Sequence, residues 1–305
     1  MIDPLAEVVT LLQPGASFSK TVSGAGPWRL RPLDVRRPSY CVIVEGGCQF
    51  AVDGRAPMIL QQGDFVLTPA AHCFTMSSLE PAHLDATVAA PATLEDGEKR
   101  LGRQNGPQDF LLLVGHFDFG SPDAGLLVSL LPQFVHVRGE PRLTSIVQLV
   151  SDESRAERPA RSLILSRLLE VLLIEALRST TATKASPGLL HGLADDRIAA
   201  AIRCMHQSPA YAWTVVEMAQ AAALSRSAFF ARFSRAVGIA PMEYLLGWRM
   251  ALGKAMLRRK EAGVAEVAAR VGYGSASAFS VAFTRHVGMP PMAYAREQAV
   301  ASAIA

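Results

Sequence analysis

The stretch SRSAFFARFSRAVGIAPMEY at residues 225–244 returns in altered form as SASAFSVAFTRHVGMPPMAY at residues 275–294. The two copies are identical at 11 of 20 positions, at an offset of 50 residues. Each copy opens on a Ser, a good helix N-cap, and places two Phe residues four positions apart on one helix face. A short apolar-periodic segment and a tight break precede each copy. The sequence therefore predicts two helix-turn-helix units, at about residues 213–237 and 263–287.

The segment that joins the two units is itself predicted to be a helix. It runs from Pro241 to about Arg259, which corresponds to roughly 28 Å at 1.5 Å per residue. One turn of B-DNA is about 34 Å, so the second helix of each unit can enter successive major grooves on one face of the duplex.

Charge is distributed unevenly along the chain. The net charge is only +3, but residues 195–305 contain 13 Lys and Arg against 7 Asp and Glu, whereas residues 1–194 contain 17 against 20. The repeated part is thus the basic part, and a polyanion is expected to bind there with an affinity that falls steeply with salt.

Composition excludes several classes of protein. A chain of 305 residues that is 50% hydrophobic can form two packed cores. We expect no secretory signal and no membrane span, because the most apolar segment, residues 163–177, carries three charged side chains. The four Cys residues show no CxxC spacing, which favours a reducing cytoplasm.

The sequence of the N-terminal half predicts a series of short strands. After a helix predicted at residues 3–12, runs bounded by Gly, Pro or Asp occur at 40–44, 48–52, 58–60, 65–67, 74–76 and 110–114. Their spacing predicts an antiparallel β-barrel or sandwich, with hairpin turns at 45–47 and 53–54 and a loop at 91–109.

Two helices are predicted after the strands, at residues 144–152 and 161–178. The second is apolar on two faces, one with Leu165 and Leu172 and the other with Ile164 and Val171. One face is expected to cover the barrel and the other is a candidate dimer contact. The alternative is a helix buried between the barrel and a neighbouring helix.

The helical third resembles the AraC/XylS family of bacterial transcription regulators. The resemblance covers about residues 196–296 and rests on WTVVEMA from Trp213, SRSAF from Ser225, GIAPMEY from Gly238, VAARVGY from Val267 and GMPP from Gly288. It implies binding upstream of promoters, commonly as a homodimer, and activation through contact with RNA polymerase.

The N-terminal part resembles the cupin-type sensor domain of one branch of that family, on DPL from Asp3, GPW from Gly26, DGR from Asp53 and GDFVLTP from Gly63. The expected architecture is a multidomain α+β chain. A cupin-like antiparallel β-barrel with dimerisation helices spans residues 1–180, a linker 181–194 and an all-α DNA-binding domain 195–305.

The family's DNA-facing positions can be carried over residue by residue. They fall on Arg226, Ser227, Phe230, Ala231, Arg235, Ala276, Ser277, Ser280, Val281 and Arg285. Apart from Arg226, the base-facing positions lack the long polar side chains that bind bases in a bidentate manner. Recognition is therefore expected to depend on thymine-methyl packing, Ser contacts and DNA shape. Phe230 has an alternative interpretation as a core residue, and Arg249 is expected to pair within the domain.

The first turn departs from the family at Ala223, where Gly is common. A left-handed Ala there would cost about 1 kcal/mol.

The sensor domain is expected to bind a small-molecule effector rather than to catalyse a reaction. The His cluster of metal-binding cupins is missing, since Phe74 stands where a His is expected and His72 has no partner of that kind, so no metal or other cofactor is predicted. Candidate effector contacts are Trp28, Arg36, Tyr40 and His72. The alternative input is thiol oxidation at Cys41, Cys48 or Cys73, although buried cysteines are usually inert.

Overall fold

A computed structural model describes residues 3–31, 38–52, 56–69, 74–80, 92–93, 99–119, 127–128, 131–132, 134–156, 158–179 and 188–304. The chain divides into two units, Leu12–Ala185 and Met1–Leu11 together with Ser186–Ala305. Each is described by itself below.

The first unit is built mainly from strands. They are β1 (Pro14–Ala25), β2 (Arg29–Leu30), β3 (Ser39–Glu45), β4 (Gly47–Val52), β5 (Met58–Gln61), β6 (Phe65–Thr68), β7 (Phe74–Ser77), β8 (Ala92–Thr93), β9 (Lys99–Gly102), β10 (Phe110–Phe119) and β11 (Val135–Val137). Every strand run expected from the sequence is present, and the 45–47 turn is formed with Gly46 at φ +72°. The expected turn at 53–54 lies outside the described residues.

The strands form two sheets that enclose an apolar core. One has the order β11-β6-β3-β10-β1-β9-β8 and the other β2-β7-β4-β5. Side chains from both sheets, among them Ile43, Cys48, Phe50 and Leu112, are buried together. The mixed α/β fold with an N-terminal cupin-like sheet domain is confirmed, and the described strand pairs follow the expected antiparallel arrangement with one exception, β1 with β9, which is parallel.

Residues 91–109 are not simply a loop, which corrects a second expectation. β8 and β9 lie within this range, and β9 continues the large sheet beyond β1. Arg100 and Leu101 of β9 are buried, so pairing and burial together stabilise a strand in a segment whose Gly residues predict a loop.

The described residues of this unit also form the helices α2 (Pro141–Arg155) and α3 (Arg161–Ser179). α3 packs against α2 and β1 and buries Leu165, Leu172 and Ala176. Its opposite side remains open, since Ile164 is 41% and Val171 44% exposed. The helix is therefore not buried on both faces within this unit.

The second unit is helical. α1 (Pro4–Leu12) is followed, after the strand unit, by α4 (Leu189–Ala194), α5 (Asp196–Gln207), α6 (Val215–Ala221), α7 (Arg226–Val237), α8 (Pro241–Arg258), α9 (Val264–Arg270), α10 (Ala276–Val287) and α11 (Pro291–Ile304). Residues 189–194, assigned to the linker from the sequence, form α4 because Leu189 and Leu190 are buried.

The N-terminal helix α1 groups with this unit rather than with the strands. Asp3 caps it by accepting a hydrogen bond from the Leu5 backbone N–H at 3.0 Å. Glu7 then meets the buried His206 of α5, with 2.6 Å between Oε2 and Nδ1, while Nε2 of His206 lies 2.7 Å from Tyr244 Oη. A hydrogen-bonded chain thus joins α1, α5 and α8.

Candidate nucleic-acid interface

Both helix-turn-helix units use the same capping chemistry. The hydroxyl of Ser225 accepts from the Ala228 backbone N–H at 3.3 Å, and that of Ser275 accepts from Ala278 N–H at 3.1 Å. The helices end at Gly238 and Gly288, with φ of +91° and +87°, a conformation that favours Gly. Local sequence therefore fixes where α7 and α10 begin and end.

The aromatic cores of the two units also match. Phe229 and Phe233 lie 5.5 Å apart between ring centroids, and Phe233 meets Tyr244 edge-on at 5.7 Å. In the second unit the corresponding distances are 5.3 Å for Phe279 and Phe283 and 5.6 Å for Phe283 and Tyr294. All four Phe rings are fully buried. The sequence repeat is therefore a structural repeat.

The two turns differ in what they require. Ala223 is left-handed, with φ +50°, so the strained conformation considered for this Ala is present, and its carbonyl accepts from Arg197 Nη1 at 3.0 Å. Gly272, the corresponding residue of the second unit, has φ +83°. A Cβ there would lie 2.9 Å from the Ala210 carbonyl oxygen, so the second turn needs Gly for space, while a left-handed φ alone is one that Ala223 also adopts.

The predicted DNA-facing side chains lie on the open sides of α7 and α10. Two are large and apolar: Phe230 is 47% and Val281 71% exposed. Phe230 is therefore not a core residue, because Phe229 fills that role. Two of the remaining positions, Ala276 and Ser280, are half-buried. The other six are exposed: Arg226, Ser227, Ala231, Arg235, Ser277 and Arg285.

Two further arginines near α7 have partners within the unit. Arg232, which like Arg226 lies on α7, forms an ion pair with Asp195, the N-cap of α5. Arg249 donates from Nε to the Pro209 carbonyl at 2.8 Å and from Nη2 to the Tyr211 carbonyl at 2.7 Å. The expectation that Arg249 pairs within the domain is confirmed, but its partners lie 40 and 38 residues earlier in the chain and no local sequence signal indicates them.

The proposed effector contacts fall at different places in the strand unit. Trp28 packs on Phe110 and lines a cavity of about 580 Å³ at the ends of the strands. Tyr40 is buried against Phe117, on the face of β3 opposite Cys41, and is not brought together with Trp28. Arg36 and His72 lie outside the described residues.

The cavity was not apparent from the sequence, because its lining comes from five separate connections. Gly26, Gly47, Gln61, Ser78 and Asp109 all contribute to its wall. Asp109 also accepts a hydrogen bond from the Gly26 backbone N–H at 2.7 Å, which joins two of these connections.

Two of the candidate redox thiols, Cys41 and Cys48, are buried in surroundings that disfavour the thiolate. Burial raises the pKa of Cys41 to about 12, against a smaller opposing hydrogen bond from the Val66 backbone. Burial, followed by the neighbouring Cys41 and Asp64, also raises the pKa of Cys48. Both side chains are therefore protonated at neutral pH and shielded from oxidants. Cys73 lies outside the described residues.

Within the described part of the chain, His, Cys, Asp and Glu do not gather in any group of three or more that could hold a metal ion. No helix among the same residues has the length and apolar character needed to cross a membrane.

Comparison with known proteins finds a different family model on each part of the chain, with α1 falling in the first match. A cupin family model matches residues 3–182 and a helix-turn-helix domain model matches residues 218–297. An AraC-like transcription regulator of Streptomyces lividans is 39% identical over 282 residues, covering 90% of this chain and 91% of the relative. A second, from Streptomyces antibioticus, is 38% identical over 282 residues, covering 90% and 92%.

Among solved structures, fatty-acid-bound ToxT from Vibrio cholerae aligns with 91% of this chain and 93% of its own, at 10% identity and a TM-score of 0.36. The extended identity to the Streptomyces proteins, with the two domain matches, carries the assignment. The chain belongs to the AraC-like transcription regulators that join an N-terminal cupin-type domain to a C-terminal helix-turn-helix domain.

Proposed function

We propose that this regulator reads promoter DNA with α7 and α10, one in each of two successive major grooves. The observation that carries the proposal is the exposure of Phe230 and Val281 on helices whose other Phe side chains are fully buried. Apolar side chains left open on a basic helical surface are suited to the thymine methyl groups of the major groove.

The two helices are proposed to contribute differently. In α7, Arg226 supplies a charged donor to a base edge, Phe230 and Ala231 pack on thymine, and Arg235 binds phosphate. In α10, Val281 packs on thymine, Ser277 and Ser280 make short polar contacts, and Arg285 binds phosphate. Ala276 stands where α7 has Arg226, so the second helix adds position and shape reading more than charge-assisted contact.

The base-reading role of Arg226 is tested by replacing it with Ala. Wild type is first used to select its preferred duplex from random sequence, and both proteins are then titrated against that duplex and a scrambled one at fixed salt. Affinity for the selected duplex should fall about fivefold to a hundredfold, with less loss on scrambled DNA.

Arg259→Ala is the matched control, since Arg259 is a half-exposed arginine that pairs with Glu261 outside α7 and α10. It should leave the ratio of specific to nonspecific affinity unchanged. Equal losses on both duplexes for Arg226→Ala would reject base reading by that side chain.

We also infer that the protein acts as a homodimer through α3. Leu163, Ile164 and Val171 are 57%, 41% and 44% exposed along this helix, an apolar surface that a second copy can cover by two-fold symmetry. Val171→Glu should then shift sedimentation toward the monomer, whereas Ser162→Glu, at an exposed polar position of the same helix, should not. An unchanged dimer in Val171→Glu would exclude this face.

The strand unit is proposed to bind a small-molecule effector, and the cavity beside Trp28 is the site that the described residues favour. A metabolite that binds the folded domain raises its unfolding temperature, so a thermal-shift panel on wild type and Trp28→Leu tests the site. A ligand that stabilises both proteins equally would place binding elsewhere. The raised pKa values of Cys41 and Cys48 weigh against the alternative of thiol sensing at those residues.

Besides promoter DNA, the proposed protein partner of this regulator is RNA polymerase. The regulator is proposed to act in the cytoplasm. No enzymatic step is included in this proposal. Activation rather than repression is the expected output, and transcription reconstituted from purified components on the selected duplex decides between them.

A further inference from the structure

The two helix-turn-helix units are joined at a second place besides α8. The side chain of Arg249, midway along α8, donates to the carbonyl oxygens of Pro209 and Tyr211 at 2.8 and 2.7 Å. Those residues belong to the loop that leads into α6, the first helix of the first unit. The guanidinium therefore holds the entrance of the first unit against the connecting helix.

The same loop touches the turn of the second unit. A Cβ built on Gly272 would lie 2.8 Å from Arg249 Nη2, 2.9 Å from the Ala210 carbonyl oxygen and 3.0 Å from Ala210 Cα. The neighbouring Tyr273 also lies near the Arg249 guanidinium, whose pKa is lowered chiefly by burial. We call the meeting point of Pro209, Ala210, Tyr211, Arg249 and Gly272 the Arg249 junction.

The loop side of the junction is itself well braced. Ser208 accepts from the Tyr211 backbone N–H at 3.1 Å and from Trp213 Nε1 at 2.9 Å, and the Tyr211 hydroxyl donates to Glu217 at 2.6 Å. Glu217 in turn completes the capping box of α6 with Thr214. A displacement of the loop would therefore displace the first unit with it.

The junction belongs to the connection and not to the repeated unit. At the repeat offset of 50 residues, Arg249 corresponds to Ala299. The backbone conformation of the second turn does not by itself require Gly, because Ala223 adopts a left-handed φ of +50° at the same position of the first unit. Gly272 thus reflects the close approach of the loop and Arg249.

Two helices that enter successive grooves must keep a fixed separation. One inserted base pair moves the second groove by about 3.4 Å along the duplex and about 34° around it. α8 packs into the core of each unit, through Tyr244 in the first and through Met250 and Leu257 in the second. The Arg249 junction adds a contact between the first unit's loop and the second unit's turn, which limits bending between the two cores. Guanidinium is suited to this because its planar fork can bind two acceptors at once.

We propose that Arg249 is a positioning residue that fixes α7 relative to α10 and thereby sets the spacing of DNA half-sites that the protein accepts. The proposal rests on the proposed function, in which α7 and α10 both enter the major groove. Arg249 itself contacts no base in this account. Its removal should change the tolerance for spacing more than the affinity for either half-site.

The test compares wild type, Arg249→Ala and Arg249→Lys on three duplexes: the one selected by wild type, the same duplex with one base pair inserted between the half-sites, and a duplex retaining the α7 half-site alone. For wild type, we expect the insertion to reduce affinity roughly tenfold or more. For Arg249→Ala, the insertion should cost less than about threefold, while affinity for the single half-site should stay within about twofold of wild type.

Arg249→Lys separates positioning from charge. Lysine retains the positive charge but cannot offer the planar two-pronged donor, so it should resemble Arg249→Ala in its tolerance of the insertion. Gly272→Ala perturbs the junction from the other side and should relax spacing in the same way, with circular dichroism reporting that each variant is folded.

The proposal is overturned if Arg249→Ala keeps the wild-type penalty for the insertion, or if it weakens binding to all three duplexes equally. Restoration of wild-type behaviour by Arg249→Lys would also overturn it, since that result would indicate phosphate contact. A wild-type protein that selects no two-part duplex would instead refute the proposed function, which keeps the two failures distinct.

Discussion

Phe229 and Phe230 are adjacent on α7 and have opposite predicted roles, so the pair provides a matched test of the DNA interface. Phe229 is fully buried against Phe233, and Phe229→Ala should lower the free energy of unfolding by about 3–5 kcal/mol. Phe230 is 47% exposed. Its truncation removes roughly half of the burial energy of a Phe side chain, and the expected loss of stability is about 1 kcal/mol.

On DNA the order should reverse. Covering the exposed half of the Phe230 ring with a thymine methyl contributes about 1 kcal/mol, which corresponds to about a fivefold change in Kd. Urea unfolding gives the stability of each variant, and titration of the selected duplex at fixed salt gives the affinity. The reasoning is refuted if Phe230→Ala binds as tightly as wild type, or if it unfolds as readily as Phe229→Ala.

Three further predictions concern the turns, a cap and the buried histidine. Gly272→Ala should lower the free energy of unfolding by about 2 kcal/mol, of which left-handed strain supplies about 1 kcal/mol and the collision with Ala210 the rest. Ala223→Gly should change the free energy of unfolding in urea by less than about 0.5 kcal/mol, because the relief of backbone strain offsets the greater entropy of the unfolded chain. Ser275→Ala should cost about 1 kcal/mol in the same assay through loss of the N-cap, and Ser275→Thr much less. Burial lowers the pKa of His206 below its ordinary 6.5 despite the opposing Glu7. As the pH falls, His206 is therefore protonated at a higher pH in the unfolded chain than in the folded protein. Thermal stability should fall as the pH drops below about 6.5. A His206→Gln variant should lack that component of the pH dependence, and an identical profile for both proteins would refute it.

The helical unit could be predicted closely because its signals are local. N-cap Ser, paired Phe and C-terminal Gly all lie within one 20-residue repeat, and they fix α7 and α10 almost to the residue. The exposed positions of Phe230 and Val281 follow from the same helical period, since the buried face is already occupied by other Phe residues.

The strand unit was predicted less completely, because its strands depend on distant partners. β1 (Pro14–Ala25) contains Pro, Gly, Ser and Lys and has no clear strand pattern, yet it lies between β10 and β9 in the large sheet. Its backbone groups are paired by residues about 100 positions later. The parallel pairing with β9 has no local signal at all.

The same distinction separates the predicted parts of the site from the missed ones. The sequence indicated that Arg249 pairs within the domain, but Pro209 and Tyr211 became its partners only through the packing of α8 against an earlier loop. The cavity beside Trp28 likewise arises from loops brought together by the sheets. The contact of α1 with the helical unit includes the buried His206, whose neighbours in sequence do not predict Glu7 as a partner.

The central claim is that α7 and α10 bind two successive major grooves on one face of promoter DNA. A hydroxyl-radical footprint of the wild-type protein on its selected duplex tests this most directly. We predict two protected blocks with centres about 10 base pairs apart, with the block assigned to α7 weakened in Phe230→Ala and the other in Val281→Ala. A single block, or diffuse protection that neither variant alters, would contradict the account.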